Sequence, residues 1–324
     1  MKGRLISMYG NEKEYRYFRY ANGQIARIHL EQDEVPPNPR YDWDGQIGKM
    51  MCWHRDYNLG DYKENDYSSP EDFINDLVRE KIEDKTIINF IKAKKTSNGL
   101  ELKYNRKEEL WELWGYWKAW WTGNEVHHGV IECNNPIDYL IDDMIEAMSF
   151  EDKWKLLERH AQIVYLPLYV YEHGGITMNC GGFSDPWDSG QVGYIYTDKE
   201  TILKTVGKFR NKKGNDVNVT ERNWKECAYT VMQDEVKEYD TYLKGECYGL
   251  IIDELDMDDQ SSLESEMNLL EEEDMNWNED TDSCCWGFLT DKWGDELFEE
   301  IVESGLGNFK LYHSLDELIR SDVA

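Results

Sequence analysis

"QIVYLPLYVYEHGGITMNCGGFSDPWDSGQVGYIYT", Gln162 to Thr197, is the stretch on which the fold class turns. Its first eleven residues are apolar and rich in β-branched and aromatic side chains, which predicts a buried strand. His173-Gly174-Gly175 supplies a turn into "ITMNC", and "QVGYIYT" from Gln191 predicts a further strand. The last of these follows a Trp-Asp turn, Trp187 to Gly193, which echoes Trp43 to Gly48 about 145 residues earlier. No sustained similarity joins the two copies, so a solenoid repeat is not supported.

Working upstream, residues 3 to 31 read as strands with Ala21-Asn22-Gly23 as the hairpin turn, and "PPNPR" from Pro36 stops regular structure. Ser69-Pro70-Glu71-Asp72 has the cap, the proline and the acids of a helix start, and helices are expected through much of 70 to 160. Leu110, Leu113, Trp114, Trp117 and Trp121 recur at three and four residues, which assigns them to one helical stripe. Ser149 opens another helix reaching about His160. Downstream, helices are expected over 198 to 210 and about 220 to 244, the second ending at Gly245, and "CYGLIID" and "SCCWGFL" read as paired strands. The expected fold is α+β, with mixed or antiparallel sheets packed with helices and an acidic helical insert in a hairpin. Three blocks, 1–68, 69–160 and 161–324 with the insert at 255–282, are expected to form one compact unit.

The charge is unusual. Of 324 residues, 66 are acidic and 36 basic, a formal charge of -30. Direct contact with nucleic acid or an anionic membrane is disfavoured, because either would be repelled, whereas a basic partner would be attracted. Between Gly245 and Asp291 there are 16 Asp or Glu and no Lys or Arg, while residues 85 to 120 hold eight basic and four acidic groups. Ser261 and Glu264 form a capping-box pattern followed by Leu263, Met267 and Leu270, so this segment reads either as a short acidic helix on a loop or as a solvated excursion. Seven scattered cysteines without a CxxC point to reduced thiols, and the N-terminus has no apolar run of a signal peptide, which together suggest the cytoplasm.

The blocks "NPRYDWDGQIGKMMCWHRDYNLGD", "LPLYVYEHGGITMNCGGFSDPWDSGQVGYIYTD" and "YDTYLKGECYGLII" with "DSCCWGF" resemble a family of acidic proteins of bacteriophages and other bacterial mobile elements, over about half the chain. The resemblance implies a phage-type accessory protein acting inside an infected bacterium. It supplies no catalytic residue.

Several groups are candidates for chemistry. In a structural reading, Asp44 or Asp188 accepts backbone amides, Gly45 or Gly190 takes a positive φ and the tryptophan covers the end of a sheet. In a functional reading the two turns meet, and Asp44, Gln46, Asp188 and Gln191 line a polar pocket for a nucleotide or metal. His54 and His173, with Asp188 and the nearby Asp56, Asp61 and Asp185, offer an acid-base or metal-binding set, but no HxH, HExxH or paired DxD spacing supports it. No GxSxG, P-loop or GxGxxG is present, so enzymatic activity has no motif behind it. No cofactor is expected and no metal is assigned. The acidic segment offers Asp256, Asp258, Asp259, Glu264, Glu266, Glu271, Glu272, Glu273 and Asp274 as a row of carboxylates imitating a nucleic-acid backbone. The function expected from this is inhibition of a basic bacterial defence protein, a CRISPR effector or another nuclease, at its nucleic-acid site.

Overall fold

The structure, a computed structural model, describes residues 14–62, 65–118, 125–134, 137–265, 275–307 and 309–321, with backbone alone at 116–118, 125–134 and 264–265. Along the chain run β1 (Arg16–Arg19), β2 (Ile25–Gln32), β3 (Lys49–Cys52), α1 (Pro70–Lys81), α2 (Asp84–Lys92), β4 (Glu101–Asn105), β5 (Leu110–Lys118), β6 (Glu125–Asn134), α3 (Ile141–Ala147) and α4 (Phe150–Leu156). Then follow β7 (Ile163–Glu172), β8 (Ile176–Asn179), β9 (Ser189–Asp198), α5 (Lys199–Thr205), β10 (Lys208–Arg210), β11 (Asp216–Asn218) and α6 (Trp224–Leu243). The C-terminal part contains β12 (Cys247–Leu255), α7 (Met257–Ser265), β13 (Trp277–Glu279), β14 (Cys285–Leu289), α8 (Asp295–Gly305) and α9 (Leu315–Ser321). The fold is α+β, and every strand register described is antiparallel. No helix among the described residues is long and apolar enough to cross a membrane.

The chain forms two compact units, each discontinuous in sequence, so their limits fall elsewhere than at residues 68 and 160. The first comprises 1–44, 172–178 and 237–324, and the second comprises 45–171 and 179–236.

In the first unit β12 is the central strand, paired with β2 on one side and with β13 and β14 on the other, while β1 extends the sheet beyond β2. Its apolar sequence, Cys247 to Ile252, is buried on both faces, as a central strand requires. One face carries Ile28, Leu30, Tyr248, Leu250 and Ile252 against Leu297, Phe298, Ile301 and Val302 of α8. On a second cluster Tyr17, Ile25 and Leu255 pack with Met275 and with Leu315 and Leu318 of α9.

The second unit is built on β3, β9 and β7, with α1 to α4 supplying Phe73, Ile74, Leu77, Ile87, Ile91, Met144 and Trp154 to its core. Trp154 stacks on Tyr165 of β7 at 3.9 Å. Ser69 and Ser149 cap α1 and α4 as their sequences predict, each accepting from the amide three residues on. The outer edge of β3 is closed. Asp61 accepts from Met50 N at 2.8 Å and donates its own amide to Met50 O, and Asn65 Nδ2 donates to Cys52 O at 2.9 Å.

Three expectations require correction. The tryptophan stripe lies on β5, a strand between β4 and β6, and not on a helix; Trp121 lies outside the described residues. In that strand Trp111 stands opposite Tyr104 and Leu113 opposite Leu102, and Lys92 and Lys103 cap the rings of Trp111 and Trp114. The helix expected over 198–210 ends at Thr205, and Lys208 to Asn218 forms the β10-β11 hairpin around Gly214 at φ +78°. Ser261 does not cap a helix: α7 begins four residues earlier, Asp256 Oδ1 accepts from Asp258 N at 2.9 Å, and Ser261 Oγ donates to Met257 O at 2.7 Å. Asp256 takes the start because it can bond an amide two residues on while its own backbone remains non-helical.

A candidate acidic interaction surface

Charge is partitioned between the two units. The first holds 34 acidic and 12 basic residues, a net of -22, and the second 32 and 24, a net of -8. Three elements of the first unit carry exposed carboxylates of its acidic C-terminal part up to Glu303.

The first is α7, which is docked and not an excursion. Gln260, buried on its inner side, accepts from Ile25 N at 2.9 Å and donates to Gly23 O at 3.0 Å, and Leu263 packs in the Tyr17 cluster. Asp258 is exposed, and Asp256 is half-buried at the helix start. Asp259 is occupied locally, accepting from Asn276 N at 2.7 Å and from Asn276 Nδ2 at 2.9 Å. Glu266, Glu271, Glu272, Glu273 and Asp274 lie outside the described residues, as does the side chain of Glu264.

The second is the end of β13 with the connection to β14, where Glu279 and Asp282 are exposed and the amide of Asp280 donates to Ile252 O at 2.8 Å. The third is α8, which sequence reasoning missed. Its apolar residues, Leu297, Phe298, Ile301 and Val302, face the sheet, so Glu296, Glu299, Glu300 and Glu303 form one exposed row at helical spacing. The signal was the i, i+3, i+4, i+7 recurrence of Glu beginning at Glu296. Lys292 lies 3.3 Å from Glu296 and Thr290 donates to Glu300 at 2.8 Å, whereas Glu299 and Glu303 have no ion pair among the described residues.

Other carboxylates of this unit are paired. The Arg16 guanidinium, 2.6 Å from Asp295, holds that carboxyl below its usual range, and Lys237 does the same for Asp291 at 3.1 Å. Arg27 pairs with Asp253 at 2.9 Å between the rings of Tyr15 and Trp277. On α8 this leaves Glu299 and Glu303 without an ion pair among the described residues.

The two Trp-Asp turns differ in backbone. Gly45 takes φ +99°, but Gly190 is extended in β9 opposite Val170. Asp185 is the carboxylate that accepts the amides of the second turn, from Trp187 at 2.9 Å and Asp188 at 3.4 Å, and the Ser189 hydroxyl donates to the Asp185 carbonyl. Trp187 is 89% exposed and covers no sheet. In the second unit, Glu235 of α6 accepts from Ile47 N at 2.6 Å and from Gly48 N at 3.1 Å, and a Cβ on Gly48 would meet Ile195. Gln191 lies four residues before Ile195, about 13 Å along the strand, so the register does not bring Gln46 beside Gln191 and Asp188. Asp44 is exposed in its own turn.

His54 follows β3 where Trp53 N donates to Val192 O at 2.7 Å, and its Nδ1 accepts from the amides of Asp56 and Tyr57 at 3.2 Å each. That is the geometry of a turn-forming histidine, with Arg55 held on Asp56 at 2.6 Å. His173 is exposed in its turn, donating its amide to Gly175 O at 3.1 Å. No group of three His, Cys, Asp or Glu among the described residues is arranged to hold a metal ion. Burial pushes the thiols of Cys180, Cys227 and Cys247 up to about 11, away from nucleophilic character.

No family model, no curated protein and no solved structure matches the chain.

Proposed function

We propose that the first unit presents a nucleic-acid-mimicking surface that occupies the basic nucleic-acid site of another protein. The observation that carries this reading is the row Glu296, Glu299, Glu300 and Glu303 on a unit of net charge -22, anchored by an apolar face that leaves the carboxylates exposed. Such a row steers a cationic groove in diffusion and fixes its orientation, because each encounter replaces the counterions that the groove would exchange with nucleic acid. Single exposed pairs contribute roughly 0.2 to 1 kcal/mol each, so affinity must come from several pairs together with packing contacts. The phage-type motifs of the chain support a bacterial nucleic-acid-targeting immune protein as the partner.

The test is a pull-down from bacterial lysate at low salt, eluted with duplex DNA and separately with high salt. A nucleic-acid-binding protein should be retained by the wild type, displaced by either eluent, and lost with the variant in which the four α8 glutamates are glutamine. Equal retention by that variant, or retention insensitive to DNA, overturns the reading.

A further inference from the structure

We infer that Trp286, on the sheet face opposite α8, is the anchor of a docking site for an arginine side chain of a basic partner segment, an inference that rests on the reading of the first unit as a ligand for a basic protein and adds a contact separate from the α8 row. Gly249 of β12 has no side chain, and the indole of Trp286 lies over it: a Cβ there would be 2.3 Å from Cε3, 2.5 Å from Cζ3 and 2.6 Å from Cδ2. The ring covers the glycine, which accounts for one of its faces. Yet Trp286 is 52% exposed, so a large part of the indole is open to solvent on the sheet surface. Gly287 at φ +89° makes this possible, because the register shift there sends Phe288 into the core and leaves Trp286 outside. Pro37 sits against Gly287, and beyond it Val35 is 86% exposed.

The carboxylates on this face are fixed by the register. Glu31 is the direct partner of Gly249 across the β2-β12 ladder, so it stands on the same face as the ring, and Asp33 continues that row, with its amide donating to Cys247 O at 2.8 Å. Glu31 accepts from His29 Nε2 at 3.2 Å with its side chain 42% exposed, and Asp33 Oδ1 accepts from Val35 N at 3.0 Å. A flat aromatic surface bordered by two carboxylates is complementary to a guanidinium, which stacks its plane on the indole while its N–H groups reach the acids. The same unit already shows this arrangement internally, with Arg27 4.4 Å from the Trp277 ring and 2.9 Å from Asp253. The surrounding charge of -22 selects a segment with several basic residues over an isolated apolar one.

The probe is a short peptide of alternating arginine and serine, with a control peptide carrying citrulline, which has the same shape and no charge. The readout is the indole N–H resonance of Trp286, assigned by its absence in Trp286→Phe. The arginine peptide should move that resonance and the citrulline peptide should not. Affinity should fall in the order wild type, Trp286→Phe, Trp286→Ala, the last by roughly three- to tenfold, and Glu31→Gln with Asp33→Asn should weaken it further. If Trp286→Ala fails to fold, the resonance shift and the Phe variant decide. A stationary resonance at saturation, or unchanged affinity in Trp286→Phe, overturns the inference. Should the peptide then still bind and be lost with the α8 glutamine variant, the acidic-surface reading survives without this contact. A peptide that binds nowhere removes both.

Discussion

At the scale of single residues, two neighbours on α4 show how burial is tolerated. Asp152 is fully buried, but its Oδ2 accepts from Ser97 N at 2.6 Å, Ser97 Oγ at 2.8 Å and Ser149 Oγ at 2.9 Å. Lys153 is 4% exposed with no carboxylate in ion-pair range among the described residues, and burial pushes its amine down to about 8 although Glu71 and Glu146 oppose the shift. A base whose folded pKa lies below its unfolded value near 10.5 binds more protons when unfolded, so this group destabilises the fold below about pH 8 and the penalty disappears as pH rises toward 10.5. Lys153→Met should therefore stabilise at neutral pH by up to about 3 kcal/mol, and its advantage over the wild type should shrink between pH 8 and 10. The comparison must be made between the two proteins. The buried thiols held near 11 and Tyr194 and Tyr196 near 12 lower the stability of both at alkaline pH, since the unfolded chain releases those protons first. Urea unfolding across pH 7 to 10 measures the difference, and a constant gap would mean that Lys153 keeps its proton in the folded state, solvated as in the unfolded chain.

At the scale of elements, the seat of β3 on β9 depends on absent side chains and on one remote carboxylate. A Cβ on Gly193 would lie 2.0 Å from Met51 O and 2.9 Å from the Cys52 Cα, both backbone atoms, so nothing flexible can yield. Gly193→Ala should cost about 1 to 3 kcal/mol by forcing the strands apart. Glu235→Ala should cost a similar amount, about 1 to 3 kcal/mol, because the amides of Ile47 and Gly48 lose their acceptor. Glu235→Gln should retain part of that, since its amide oxygen still accepts; denaturant midpoints separate the three. These elements also show what a sequence can reveal. The caps at Ser69 and Ser149 were legible because capping is local chemistry, and β7, β9 and β12 because their apolar runs are bounded by turns. For β5 the spacing of leucine and tryptophan fitted a helix, and pairing with its chain neighbours β4 and β6, which apolar spacing alone does not register, makes it a strand. The Trp-Asp echo misled for the same reason: like residues at Gly45 and Gly190 adopt unlike backbones because one lies in a turn and the other in a ladder. Of the candidate surface, the α7 carboxylates were visible as a run without Lys or Arg. The α8 row was hidden because buried residues alternate with its glutamates along the chain.

At the scale of the whole molecule, the charge that suits the first unit to a basic partner also strains it. Thirty-four acidic residues against twelve repel one another in the compact state, and the exposed row on α8 has little internal compensation. Salt relieves such repulsion, since the screening length falls from about 10 Å at 0.1 M to about 3 Å at 1 M. Raising salt over that range should therefore stabilise the protein, opposite to the response of a fold held by surface ion pairs. Replacing Glu296, Glu299, Glu300 and Glu303 by glutamine removes part of the repulsion directly. That variant should gain on the order of 1 kcal/mol at low salt, about 3 to 6 °C in melting temperature for a unit of this size, and should respond less to added salt. A basic partner has the same effect by mass action, raising the wild-type melting temperature and leaving the variant unmoved. Calorimetry at two salt concentrations, with and without a polycation, measures all three responses. If the variant is no more stable than the wild type at low salt, its carboxylates are not under mutual repulsion, and a row that does not repel itself has little field with which to attract a partner.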